Sequence, residues 1–344
     1  MTKNNIALPA PSRRSGALPN KKVAVRYWVT LGALIIASLG FAYGFLALDN
    51  PMPPGSDGFW RIAELRGTAV LTMAIVAVAQ TVATVSFQTV TNNRIITPSI
   101  MGFDSLFVAV QTASVFLLGA GGVVAMQGVP QFIFQVIIMV ALSVALYGWL
   151  LSGKLGNIQI MLLVGIIIGA GLGSVSSFMQ RMLTPSEFDI LTARLFGSVS
   201  NADASYFPIA IPLVIVASAF LIGSSKRLNV VALGRDTTMN LGINHRREVM
   251  KTLFFVSILI AVSTALIGPL TFFGFLAAML SYQLADTYDH RYVFPMSILT
   301  GFVVLSGAYF IMKHVFYAQG VVGIIIELVG GTAFLIFVLR KGRL

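Results

Sequence analysis

The sequence predicts an all-α integral membrane protein of ten transmembrane helices with both termini on the cytoplasmic side. Three observations predict it. Of its 344 residues 57% are apolar and only 10% are charged, with a mean hydropathy of +0.88, where an ordinary soluble domain carries about 25% charged residues. The apolar residues gather into runs near the roughly 20 residues that a helix needs to cross a hydrocarbon core of about 30 Å. The basic residues, which give a net charge of +11, sit between those runs and collect on alternate segments, as membrane topology requires. They form no polar basic domain, so nucleic acid is not an expected partner. The same composition excludes disorder, collagen and disulfide scaffolds. Zero cysteines exclude thiolate catalysis, Cys-ligated zinc and iron–sulfur clusters.

Residues 1–26 read as a cytoplasmic tail carrying Lys3, Arg13, Arg14, Lys21, Lys22 and Arg26 and no acid. The run Tyr27–Leu48 is longer than a signal-peptide core of about 7–15 residues and has no small-x-small cleavage site after it, so it is expected to stay as the first span. The next runs are Gly67–Thr89, Ile100–Leu118, Phe132–Leu151, Ile158–Phe178, Tyr206–Gly223, Thr252–Ile267, Phe272–Ala285, Tyr292–Ile311 and Val321–Leu339. A single helix from Thr252 to Ala285 would be about 51 Å long, too long for one crossing. Gly268-Pro269 is therefore expected to reverse the chain. The ten-helix membrane domain is expected to span 27–340, and 341–344 to form a basic C-terminal tail.

Lysine and arginine settle the parity. With ten spans and an internal N-terminus, the inside segments hold 18 of the 23 basic residues: six in the tail, Arg94, Lys154, six in the loop 224–251, Arg291 and three from Arg340 onward. Only Arg61, Arg66, Arg181, Arg194 and Lys313 fall outside. Nine spans would turn the basic C-tail outward, against the rule that cytoplasmic loops collect Lys and Arg.

Two acids lie within spans, Asp104 and Glu327. Such residues are costly in lipid and mark pathway-lining or paired positions. Asp104, one turn inside its span, also has the reading of reaching the interface, and Glu327 also that of a structural hydrogen bond. Other features are decoys. Gly148–Lys154 spells G-x-x-x-x-G-K, but Leu155 stands where a phosphate-binding loop needs Ser or Thr, and a membrane helix precedes it in place of a strand. Gly102-Phe103-Asp104 lacks the second aspartate at comparable depth that aspartyl protease chemistry needs. His245, His290 and His314 show no metal-ligand spacing. No Ser, Lys or His constellation argues for an enzyme.

Gly165, Gly169 and Gly173 are spaced by four and leave one helix face bare, so that another helix can approach closely. This face is read either as packing within the bundle or as lining for a pathway or dimer. The loop Ser224–Lys251 carries an apolar row, Val230, Val231, Leu233, Met239 and Leu241, that a solvated basic loop does not need. Two short amphipathic helices are expected here, Asn229–Met239 and Asn244–Met250, broken around Gly242 and docking a soluble partner. A transporter with no nucleotide site of its own needs such a partner to supply conformational work.

At this loop the sequence resembles the FecCD-type permeases, the membrane subunits of ABC importers for iron–siderophores, haem and cobalamin. Ala232-Leu233-Gly234 and Leu241-Gly242 resemble the family's A-L-G-x-x-x-A-x-x-L-G, with Thr238 at the alanine. Gln88, Thr91, Asn93, Pro98 and Gly102 match Q-x-x-T-x-N-P-L-x-x-P-x-x-L-G, with Arg94 at the first proline. Gly268–Leu276, His290-Arg291, Pro295–Gly301 and Gly330-Gly331 with Phe334 carry the likeness through the last third. A P-H pair of the eighth span is absent, with Ala278-Met279 in that region, and the paired arginines ahead of the second span are reduced to Arg66. The wording Gly268–Leu276 and the Glu327–Gly331 ending look most like the ferric-siderophore branch.

The resemblance implies a multi-pass permease of the bacterial cytoplasmic (inner) membrane, paired with a second permease, of the same or a sister chain, around a central pathway. It implies two ATPase subunits below, holding ATP and Mg, and an extracytoplasmic substrate-binding protein above, with a ferric siderophore as cargo and no cofactor in this chain. Val231, Leu233, Gly234, Arg235, Met239, Leu241 and Gly242 would dock the ATPase. Arg61, Arg66 and Lys313 would meet acidic residues of the binding protein. Gly165, Gly169, Gly173, Glu327, Gln88 and Asn93 are the pathway and packing candidates. The alternative, an ion-coupled secondary transporter working through Asp104 and Glu327, expects paired midplane charges, whereas these two acids stand far apart in the chain.

Overall fold

A computed structural model describes residues 16–48, 50–125, 128–152, 158–196, 198–199, 202–314 and 322–341. Lys3, Arg13 and Arg14 of the tail, the G-x-x-x-x-G-K decoy at Gly153-Lys154, and Arg343 lie outside the described residues. The helices are α1 (Lys21–Ala47), α2 (Asp57–Val90), α3 (Asp104–Ala125), α4 (Val129–Ser152), α5 (Ile158–Arg181), α6 (Pro185–Leu195), α7 (Phe207–Gly223), α8 (Ser225–Val231), α9 (Arg235–Asn240), α10 (His245–Ile267), α11 (Phe273–Ala285), α12 (His290–His314) and α13 (Val322–Lys341). A π turn, Ser99–Phe103, leads into α3. Among the described residues, eight helical segments are long and apolar enough to cross a membrane, and Phe273–Ala285 and Gly323–Ile336 are shorter apolar helices. All ten apolar runs are helical.

The reversal at Gly268-Pro269 is present. α10 stops at Ile267 because Gly268 takes φ 87°, a conformation open to glycine, while its N–H still bonds the Thr264 carbonyl. Two features differ from the sequence reading. The loop after α7 breaks twice, at Gly234 (φ 93°) and Gly242 (φ 79°), so Asn229–Met239 is not one helix, and Asn244–Met250 is the first part of α10. The segment before α7, read as loop, contains α6. A Thr184/Glu187 capping box starts it: the Glu187 carboxylate accepts from the Thr184 N–H at 2.9 Å, and Pro185 fits the first turn.

The core is built on α2. Nearly every side chain from Thr72 to Val90 is buried, enclosed by α1, α7, α10, α11 and α12. Polar residues survive there by bonding their own helix, as Thr81 does to the Ala77 carbonyl (2.7 Å) and Thr89 to that of Val85 (2.8 Å). α1, in contrast, lies on the outside of the bundle.

Close helix approach depends on glycines. A Cβ at Gly301 of α12 would overlap the Thr81 methyl, and one at Gly274 of α11 would overlap the Thr84 hydroxyl. Overpacking of this kind costs about 1–3 kcal/mol. Gly301→Ala is expected to lower the thermal midpoint of the purified chain in detergent, whereas Gly171→Ala, which meets nothing within 4 Å, leaves it unchanged. Equal midpoints would show that α12 has room to shift.

Candidate docking and transport sites

The α8–α9 end of the bundle carries an exposed apolar row. Leu233, Met239 and Leu241 are 61%, 53% and 59% exposed, and Arg235 stands exposed beside them. The positive-φ glycines produce this arrangement, because Gly234 and Gly242 turn the chain at either side of α9 and leave both leucines at its ends facing outward. Thr238 points the other way. It is buried, and its hydroxyl lies 2.6 Å from the Gly234 carbonyl and 3.1 Å from that of Val230. Val231 corrects the expected docking set: it is only 1% exposed and belongs to the core, since α8 turns it toward the bundle.

Beneath this row lies a polar network that the sequence reading did not assemble. Asn229 of α8 donates to the Asp289 carboxylate (3.0 Å), and its Oδ1 accepts from the His290 N–H (3.1 Å) and lies 2.5 Å from the His290 Nδ1. The other ring nitrogen lies 2.6 Å from the Thr89 hydroxyl at the end of α2. Arg291 grips Asp289 through Nε and Nη2, the latter at 2.6 Å. Burial pushes the Asp289 carboxyl upward, but the hydrogen bonds from Arg291 and Asn229 and the Arg291 charge outweigh it and hold the group at about 2. The clamp is therefore ionised at neutral pH. It fastens α8 to α12 and, through His290, to α2. The Asp-His-Arg order was visible in sequence, but Asn229 lies 60 residues away from Asp289.

Gln88 and Asn93 shape the adjoining turn. Gln88 is buried and donates to the Arg94 carbonyl (2.8 Å), while the Asn93 Oδ1 accepts from the Ile95 N–H (2.9 Å). Arg94, at the proline position of the motif, places its guanidinium 4.6 Å from the centre of the Tyr282 ring.

At the opposite end, Arg61 and Lys313 are exposed. Arg66 donates to the Leu48 carbonyl at 2.6 Å and the Phe45 carbonyl at 3.4 Å, so it satisfies the C-terminus of α1.

The glycine face of α5 divides. Gly165 and Gly169 meet the π turn, where Gly102 has φ 104° and a Cβ would stand 3.1 Å from the Gly165 carbonyl oxygen and 3.3 Å from the Gly169 Cα. Gly173, one turn further on, has nothing within 4 Å of such a Cβ. Asp104 and the helix that carries Glu327 both meet the turn before α11. Asp104 is buried at 9% exposure, and its Oδ2 accepts from the Thr271 hydroxyl at 2.7 Å. Glu327, half-buried, stands one turn before Gly330 on α13, the helix that packs on the same turn. Gly330 makes this possible, because its Cβ position is only 2.7 Å from the Phe272 Cβ, so α13 lies directly on the turn before α11. Thr271 escaped the sequence reading because nothing local marks a threonine that a distant acid holds.

The FecCD transport family matches residues 29–341. The chain belongs to that family. It is 54% identical over 97% of its length to the petrobactin import system permease protein FatC of Bacillus anthracis, covering 94% of that protein. It is 36% identical over 76% of its length to the petrobactin import system permease protein YclO of Bacillus subtilis, covering 82% of it. A solved chain assigned to a metal-chelate type ABC transporter in an inward-facing conformation shares the fold, with a TM-score of 0.76, 19% identity, and coverage of 91% of this chain and 99% of that one. In the FecCD chain described above, the two glycines of the A-L-G and L-G motifs are the two positive-φ corners that expose the α9 row.

Proposed function

We propose that this FecCD chain is the membrane permease of an ABC importer that carries a ferric siderophore of the petrobactin class across the cytoplasmic membrane. The 54% identity to FatC, spread over almost the full length of both chains, carries this reading. The chain crosses the membrane ten times with both ends in the cytoplasm, the two shorter apolar helices α11 and α13 completing the eight long segments. It pairs with a second permease. ATP and Mg are bound and hydrolysed in two partner ATPases.

The exposed Leu233, Met239 and Leu241 insert into the ATPase, with Gly234, Arg235 and Gly242 shaping and flanking them. The Asn229–Asp289–His290–Thr89 network passes their displacement to α12 and α2. Arg61 and Lys313 receive the binding protein at the other face; exposed charges of this kind govern orientation and association rate more than affinity. The open glycine side of α5 at Gly173 faces the pathway. Import then depends on ATPase states that bias two permease conformations differently.

The test is iron-labelled ferric petrobactin uptake into proteoliposomes holding this chain with its ATPase, binding protein and second permease. Uptake is expected to require ATP and all four components. Uptake driven by a proton gradient without the ATPase would overturn the reading in favour of a secondary transporter.

A further inference from the structure

We propose that the groove between the π turn, α4 and α5 binds one glycerophospholipid of the cytoplasmic leaflet, with an acyl chain lying along it and the two ester carbonyls held by Ser143 and Tyr147. The groove has a volume of about 390 Å³, within the range of about 300–1,000 Å³ of small-molecule sites. Its walls are the π turn from Met101 to Phe103, α4 from Leu142 to Trp149, and the face of α5 that carries Gly165 and Gly169. Among the lining residues only Ser143 and Tyr147 bring hydroxyl groups.

Those two hydroxyls point to a ligand. Ser143 is 4% exposed and Tyr147 2%, and they stand one turn apart on α4. Neither hydroxyl has a hydrogen-bond partner among the described residues, and neither is sealed within the protein, so both open on the groove. Ser143 does not turn back onto its own helix as Thr81 and Thr89 do. The Tyr147 ring packs against Phe103 of the π turn, 6.0 Å between centres, which limits where its hydroxyl can go. A buried hydroxyl left unpaired is costly, and each of these two has a proton to donate.

The place of the groove selects the class of ligand. The helices on its three sides are all long and apolar enough to cross a membrane. Leu142 and Trp149, at its rim, are exposed large apolar side chains, so it opens sideways to the bilayer. Tyr147 and Trp149 lie in the last two turns of α4, its cytoplasmic end in the proposed ten-span topology, where such rings favour the interface. A glycerophospholipid there offers two ester carbonyls, which accept and do not donate, above apolar chains. Two acceptors meet two unpaired donors, and the chain lies on apolar walls. A bare hydrocarbon leaves both hydroxyls unpaired, and a water, which needs about 2–4 polar partners, has only these two. A lipid seated here braces α4 against the π turn and α5.

Native mass spectrometry of the full chain, extracted from bacterial membranes in mild detergent, tests this. The wild type is expected to retain one phospholipid per chain. Tyr147→Phe keeps the ring and loses the hydroxyl, and is expected to lower the ratio of lipid-bound to free chain about fivefold, the worth of roughly one net hydrogen bond. Ser143→Leu removes the other donor and fills the groove, and is expected to abolish retention. A wild type without bound phospholipid would overturn the proposal, as would retention in Ser143→Leu equal to that of the wild type. Should Ser143→Leu not reach the membrane, Tyr147→Phe decides alone, and an unchanged ratio overturns the site.

Discussion

ATP-dependent uptake by the assembled importer is expected to fall by more than tenfold when Leu241→Arg and Gly242→Asp are introduced together, with the chain still present in the membrane at its normal level. Leu241 is exposed and Gly242 meets no neighbour, so neither change disturbs packing within the chain. Both act on the proposed docking row. Burying a leucine against a partner is worth about 1.5–3 kcal/mol, and each 1.4 kcal/mol is about tenfold in affinity. The arginine removes that gain and brings an unpaired charge into the contact. The aspartate adds backbone strain of roughly 1–2 kcal/mol at a left-handed position. Uptake into proteoliposomes and the retention of the ATPase on the purified permease are the two measurements. Normal uptake with normal retention would remove the α9 row from the docking surface.

The second large effect is expected at Gly102. Gly102→Val should sharply reduce the amount of folded chain in the membrane and abolish uptake. The residue adopts φ 104°, which a branched side chain does not tolerate, and its Cβ would face the Gly165 carbonyl oxygen and the Gly169 Cα. Both contacts are backbone, so no side chain can rotate away. Strain and overpacking together amount to about 2–5 kcal/mol, a large share of the stability of any domain. Immunoblotting of membranes and thermal unfolding of whatever protein is recovered measure it. A folded, active Gly102→Val chain would mean that α3 and α5 separate easily.

The ten apolar runs were legible because each is a property of a contiguous stretch, and the Gly268-Pro269 reversal because a local conformational demand marks it. The family was legible from spaced motif residues for the same reason. Which face a side chain takes was harder to read. Helices apolar on every side give no stripe to separate core from lipid, so Val231 looked as exposed as Leu233, and only the end of α8 at Val231 separates them. The capping box at Thr184 was a readable signal for α6 that the surrounding polar loop obscured. The meeting of Asp104 with Thr271, and of Asn229 with Asp289, is set by how α3 and α8 pack, which no stretch of sequence specifies by itself.

The uninterrupted α2 makes the permease a lever. It has 34 residues and no internal proline, which gives a rod of about 51 Å with Arg61 and Arg66 near one end and Thr89 at the other. A rotation of about 5° around its midpoint carries each end roughly 2 Å, in opposite directions, with little change at the fulcrum. In the proposed importer, a binding protein pressing on the Arg61 end and an ATPase pulling through His290 on the Thr89 end would exert torque on one stiff body. Their efforts add when they turn it the same way and cancel when they oppose.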